Sequence, residues 1–154
     1  MRILGLDPGS LRFGVAVLEK KGREVAFLHA ETIRLPAGEF SGRMAALWER
    51  LDTVLDGHPV DGAALEEGFL GKNVRSMSLL CTTRGIAMGA LLARKVPFFT
   101  YSPRAVKQSL TGNGNASKDQ VQHMVQRVLK PGKTLAPDAA DAVAVAYCHA
   151  VHTK

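Results

Sequence analysis

The sequence predicts an α/β fold, a mixed five-stranded sheet flanked by helices on both faces. Three observations lead to it. The opening stretch holds three strand-like segments joined by short turn signals, which reads as an antiparallel meander. Strand and helix patterns then alternate, the arrangement that builds parallel crossovers. The closing stretch carries three helical patterns, two of them with clear N-terminal caps.

The first strand is Ile3-Leu4-Gly5-Leu6 and ends at Asp7-Pro8-Gly9-Ser10. Pro8 lacks an N–H and biases Asp7 towards extended backbone, so Asp7 reads as the last residue of a buried strand. Its carboxylate then lies at the strand's carboxyl end, where ligands bind in open α/β sheets. Phe13 to Leu18 reads as a second strand, Lys20-Lys21-Gly22 as a turn, and Val25 to Ile33 as a third strand. After the Pro36-Ala37-Gly38 break, Phe40, Met44, Leu47, Trp48, Leu51, Val54 and Leu55 form one helical apolar stripe. Gly57-His58-Pro59 stops it. Gly62 to Glu66 reads as a short buried strand that also ends in an acid.

A helix from about Asn73 to Arg94 follows, with Val74, Met77, Cys81, Met88, Leu91 and Leu92 marking one face. Gly85 and Gly89 lie four apart on it, a spacing that allows close helix approach. Val96 to Thr100 reads as a fifth strand. Ser102-Pro103 is an N-cap followed by proline at the first helical position, and that helix ends near Leu110. Ser117-Lys118-Asp119-Gln120 has capping-box form, with Val121, Met124, Val125, Val128 and Leu129 as its stripe. The last helix runs from Pro137 or Asp138 to Val151, and its Ala- and Val-rich first turns predict burial on most sides.

The 154 residues suit one domain, taken as 1–154, with one sizeable core. Apolar content of 46% and charged content of 22% are ordinary for a globular chain. The longest unbroken apolar or glycine run, 85–93, is too short to span a bilayer, and the first residues do not form a signal peptide. The expectation is a cytoplasmic protein without a membrane partner, its two cysteines, Cys81 and Cys148, free and buried. A net charge of +6 favours a polyanionic partner.

The chemistry gathers on acids. Asp138 and Asp141 are three apart at a helix start, so they share a face and gain from the helix dipole. Dipole complementarity alone accounts for many such pairs, and a lone strand-end acid such as Asp7 or Glu66 reads equally as a turn or salt-bridge residue. Together they carry more. Four carboxylates in one cleft cannot all ionise unless cations are supplied, and hard oxygen ligands suit Mg²⁺ or Mn²⁺. Glu67 is set aside, because on a strand it points away from Glu66. Cys148, His149 and His152 fall short of a structural zinc site and read as packing and solvent contacts.

An ordered set of motifs runs through nearly the whole chain. It comprises Ile3 to Ser10, Ala64-Leu65-Glu66, Phe69, Lys72-Asn73, Arg104 to Gln108, Gly112 and Gly114, Lys118 with Gln120 to Val125, and Asp138-Ala139-Ala140-Asp141-Ala142. This set resembles the RuvC family of Holliday-junction resolvases, within the ribonuclease H-like superfamily. The resemblance implies a ribonuclease H-like sheet. It also implies that Asp7, Glu66, Asp138 and Asp141 are catalytic, bind two Mg²⁺ (with Mn²⁺ as substitute) and activate water. Paired symmetric nicks in a four-way DNA junction, each leaving a 5′-phosphate, would follow. Lys107 and Lys118 match basic positions near the family's site, and Phe69 matches an aromatic that stacks on a junction base. Lys72, Arg75, Arg84 and Arg104 are further DNA-backbone candidates. The family further implies a homodimer through the helix holding Met77, Leu80 and Gly85, and work with the RuvAB branch-migration complex. Many relatives carry a longer basic C-terminal tail than this chain, which ends at Lys154. Two rival readings are a non-catalytic junction-binding module and an Asp-x-Gly phosphotransferase.

Overall fold

The computed structural model describes residues 1–67 and 74–153, with only the backbone of Arg75. Its strands are β1 (Arg2–Asp7), β2 (Arg12–Lys21), β3 (Glu24–Arg34), β4 (Gly62–Glu66) and β5 (Phe98–Tyr101). They form one sheet in the order β3-β2-β1-β4-β5. β1, β2 and β3 pair antiparallel, whereas β4 pairs parallel to both β1 and β5. The helices are α1 (Phe40–Gly57), α2 (Val74–Ala93), α3 (Pro103–Thr111), α4 (Lys118–Leu129) and α5 (Pro137–His152).

Two cores sandwich the sheet. Leu4, Leu6, Val15, Val17 and Leu65 alternate towards α1 and α2, while Ile3, Ala16 and Ala64 face α3, α4 and α5. This is the period-two division of a sheet buried on both faces. Both predicted caps form: Ser102 Oγ accepts from the Ala105 N–H at 3.2 Å, and Ser117 with Gln120 makes the reciprocal capping box.

α5 lies across the sheet closely enough to touch its backbone. A Cβ built on Gly5 would stand 2.0 Å from the Ala142 carbonyl oxygen and 2.7 Å from Ala146 Cβ. One on Gly14 would stand 2.0 Å from the Asp138 carbonyl oxygen. Glycine on the strands and alanine on the helix are what admit this contact. It fixes α5 by its first turns against the carboxyl end of β1.

Several expectations change. β5 begins at Phe98, because Lys95 turns left-handed (φ 57°) at the end of α2 and the chain needs two more residues to rejoin the sheet. Phe40 and Trp48 stay 53% and 39% exposed, outside the buried part of the α1 stripe. Cys148 is buried but Cys81 is exposed. The face read on α2 is only partly kept: Leu91 is buried and Met88 packs against the same core, but Val74, Cys81 and Leu92 are exposed, and Thr83, Ala87 and Ala90 complete the buried side. Small residues let α2 sit close to its neighbours, Leu79, Ile86, Met88 and Leu91 pack against the core, and Val74 and Leu92 are left on the outer side. The window Ser76–Ala93, interrupted by Arg84 and of mean hydropathy 1.3, is long and apolar enough to cross a membrane by length and composition alone. Its inner face is packed on the protein's own core, so its free surface is one-sided.

Candidate active site

Asp7 ends β1 and Glu66 ends the adjacent parallel strand β4, so both side chains emerge at the same edge of the sheet. Asp138 and Asp141 occupy the first two turns of α5, brought there by the Gly14 contact. Asp7, Glu66 and Asp141 line one cleft of about 400 Å³ together with Lys107 and Lys118. Asp138 lies one turn earlier on α5 and does not line the cleft, yet its charge acts on both Asp7 and Asp141. A larger cavity of about 510 Å³ along the α3–α4 connection, lined by Asn113, Gln120 and His123 among others, contains none of the four acids.

The electrostatics record the crowding. Burial, then the charges of Asp141, Glu66 and Asp138, push Asp7 up to about 7. Burial, followed by Asp141, raises Glu66; burial also raises Asp141, against the opposing pull of Lys118. Lys118 is the first residue of α4, and its Nζ stands 3.3 Å from Asp141 Oδ2. Its own pKa is raised, chiefly by Asp141. Lys107 projects from α3 into the same cleft and draws Glu66 and Asp141 back towards ionisation.

Among the described residues no three His, Cys, Asp or Glu side chains close into a metal-binding group. The acids form an open fork: near enough to suppress each other's ionisation, and not drawn around one point. Their donor set is all carboxylate oxygen, which fits a hard divalent cation and not a thiolate- or imidazole-seeking one. A cation would also neutralise the repulsion that adds to burial in raising three of the four.

The other predicted residues divide. Arg84 Nη1 donates to the Glu66 carbonyl oxygen, bracing the end of the strand that carries Glu66. Arg104 is exposed on α3, and its stem lies over Gly114, where an added Cβ would meet Arg104 Cγ at 2.6 Å. Phe69, Lys72 and the side chain of Arg75 lie outside the described residues. Glu67 is exposed and does not line the cleft. At the far end of α5, Cys148 is buried and His152 Nδ1 lies 2.7 Å from the Cys148 carbonyl oxygen. His149 bonds Tyr101 Oη at 2.7 Å and stacks on Phe99. These are packing roles. The positioning glycines, Gly5 and Gly14, were missed; glycine inside an apolar strand was the available signal.

Comparison with known proteins follows the same pattern. The family model of crossover junction endodeoxyribonuclease RuvC matches residues 3–149. The RuvC of Photobacterium profundum is 44% identical over 152 residues, 98% of this chain and 87% of that protein. That of Paracoccus denitrificans is 39% identical over 154 residues, 100% of this chain and 94% of the relative. The structure of T. thermophilus RuvC in complex with Holliday junction substrate superposes with a TM-score of 0.91 at 30% identity, covering 99% of this chain and 94% of that one. The yeast mitochondrial Holliday junction resolvase Ydc2, at 13% identity and a TM-score of 0.72 over 96% of this chain and 78% of its own, shares the fold. With a full-length family match and relatives of this identity, the chain belongs to the RuvC family of crossover junction endodeoxyribonucleases.

Proposed function

We propose that this protein is a structure-selective endonuclease that resolves Holliday junctions by paired, symmetric phosphodiester hydrolysis in homologous recombination and repair. The observation that carries the reading is one cleft in which Asp7, Glu66 and Asp141 meet Lys107 and Lys118, with Asp138 one turn away. Acids that mutually suppress their ionisation destabilise a metal-free chain, and the arrangement gains its purpose when divalent ions are held. Asp7, Glu66, Asp138 and Asp141 would hold two Mg²⁺, or Mn²⁺, which supply charge neutralisation and water activation for in-line displacement, leaving a 5′-phosphate.

The chain's own residues do the rest. β1 and β4 present two carboxylates from a rigid sheet edge, and α5 presents two more from its N-terminal turns. Lys118 is held over the cleft by Asp141 and is free to transfer to a phosphate once Asp141 is neutralised. It sits at a helix N-terminus, where main-chain N–H groups also favour phosphate. Lys107 faces it across the same cleft. Phe69 as a base-stacking residue, and Lys72, Arg75, Arg84 and Arg104 as backbone contacts, belong to the same reading. So do a cytoplasmic location and cooperation with the RuvAB branch-migration complex.

A four-way junction is nearly two-fold symmetric and needs two matched cuts, so we place two copies of the chain on it. The exposed Val74, Cys81, Gly85 and Leu92 of α2 support a homodimer through that helix, on which Met77 and Leu80 are half-buried.

Incubation with a synthetic mobile four-way junction, with and without Mg²⁺, tests the reading. Symmetric nick pairs with 5′-phosphate ends are expected only with the metal. Tight binding without metal-dependent nicking would instead make the chain a junction-binding module.

A further inference from the structure

The loop that leaves Asp7 leads into a second concave surface. It is a pocket of about 490 Å³ lined by Arg12, Arg34 and Arg43, with Leu11, Leu35 and Pro36 among its walls. It shares no lining residue with the catalytic cleft. No acid lines it, and among the described residues none of the three arginines pairs with a carboxylate. Other arginines are paired: Arg2 with Glu19 at 3.5 Å, Arg50 with Glu31 at 2.7 Å, and Arg94 with Asp52 and Asp56 at 2.6 and 2.9 Å.

The three charges are also held together. Arg12 and Arg34 are direct partners across the β2–β3 ladder, where like charges repel. Arg43 donates Nη2 to the Ser10 carbonyl at 2.7 Å, tying it to the loop after Asp7. Its Nε is buried without a hydrogen-bond partner among the described residues. An anion would relieve the repulsion, and guanidinium forks match phosphate oxygens.

Position selects the anion. Asp7 pairs with Gly14, and Arg12 lies two residues from Gly14 on the same strand, about 7 Å further along. The intervening loop is tight: a Cβ on Gly9 would stand 2.0 Å from the Arg12 carbonyl oxygen. DNA with its scissile phosphate in the cleft carries successive phosphates at about 3.4 Å of rise each. A pocket at this distance falls within reach of the phosphates one to three nucleotides from the cut.

We propose that Arg12, Arg34 and Arg43 form a phosphate-docking site for the DNA backbone flanking the cut. The proposal rests on the junction-nuclease reading above. The test is an Arg12→Gln/Arg34→Gln double variant, both positions being exposed, so that the fold is kept and a thermal melt verifies it. Arg43 is left in place because it tethers the Asp7 loop. Binding to a four-way junction is measured without divalent ion over a range of salt. The double variant should bind about tenfold more weakly at 0.1 M salt, and its log K against log salt slope should shrink by about 1.8, near 0.9 per lost phosphate. Neutral methylphosphonates one to three nucleotides from the cut should weaken binding by the native chain and leave the double variant's affinity little changed. If the native chain nicks the junction and the double variant binds with the native affinity and slope, the docking site is overturned, and the arginines are left to an acidic protein surface. If the native chain neither binds nor nicks the junction, the nuclease reading fails and the docking site falls with it.

Discussion

Asp7 loses most of its hydration between two strands and a helix, and its neighbours are acids. Its proton is therefore held more tightly in the folded chain than in the unfolded one, with a folded pKa near 7 against an ordinary 3.8. The sign follows from linkage. Below pH 3.8 both states are protonated and the fold suffers no penalty. Between there and about 7 the unfolded chain ionises first, so stability falls as pH rises and then levels off. At 1.36 kcal/mol per tenfold the full penalty is on the order of 4 kcal/mol, with Glu66 and Asp141 adding in the same direction. Chelated protein should thus melt at progressively lower temperature from pH 5 to pH 7. Asp7→Asn, which mimics the protonated acid, should flatten that profile and melt higher than the native chain at pH 8 without metal. The same variant should hold a four-way junction and fail to cut it in Mg²⁺. A native cutting rate in the variant would remove Asp7 from the catalytic role. Millimolar Mg²⁺ should raise the melting temperature of the native chain at pH 8, and much less that of Asp7→Asn.

What gathers the acids is a contact between elements that no single stretch of sequence declares. The end of β1 was readable from Asp7-Pro8, the start of α3 from Ser102-Pro103 and the start of α4 from its capping box, because each signal lies within a few residues. That α5 would place Asp138 and Asp141 beside Asp7 depends on Gly5 and Gly14, two residues on strands more than a hundred positions away. The family resemblance supplied that convergence; periodicity did not. The contact makes a sharp prediction. Gly14→Ala adds a methyl where the Asp138 carbonyl oxygen stands 2.0 Å away, so α5 must move. Overpacking of this kind costs about 1–3 kcal/mol. Displacing an acid by about 1 Å is enough to lower cutting roughly a hundredfold. The expected result is a folded protein with a modestly lower melting temperature and a far lower single-turnover rate. A native rate at unchanged stability would show that α5 is not positioned by this contact.

Across the assembled fold, the least readable feature was the direction α2 faces. Its large apolar residues made a genuine helical stripe, and a stripe is ordinarily read as core. Here the stripe is split: Leu91 and Met88 join Leu79, Thr83, Ile86, Ala87 and Ala90 on the core side, while Val74, Cys81 and Leu92 are exposed together with Gly85. Sequence periodicity identifies an apolar face but not whose surface will bury it. The two glycines separate the alternatives. A Cβ on Gly89 would rest 3.8 Å from Trp48 Cζ3, in ordinary contact with α1. A Cβ on Gly85 would meet nothing within 4 Å, so Gly85 lies open in the outward stripe. If α2 is the homodimer surface proposed above, Gly85 lets two helices approach closely, and a charged side chain there blocks them. Gly85→Glu should leave the single chain at least as stable, since replacing glycine inside a helix gains up to about 1 kcal/mol. It should also weaken self-association at least tenfold, as read by sedimentation equilibrium at micromolar protein. Junction nicks should then lose their pairing and appear singly. The two readouts move in opposite directions, which a general loss of folding cannot imitate. A Gly85→Glu chain that still sediments as a dimer would exclude this face of α2 from the interface.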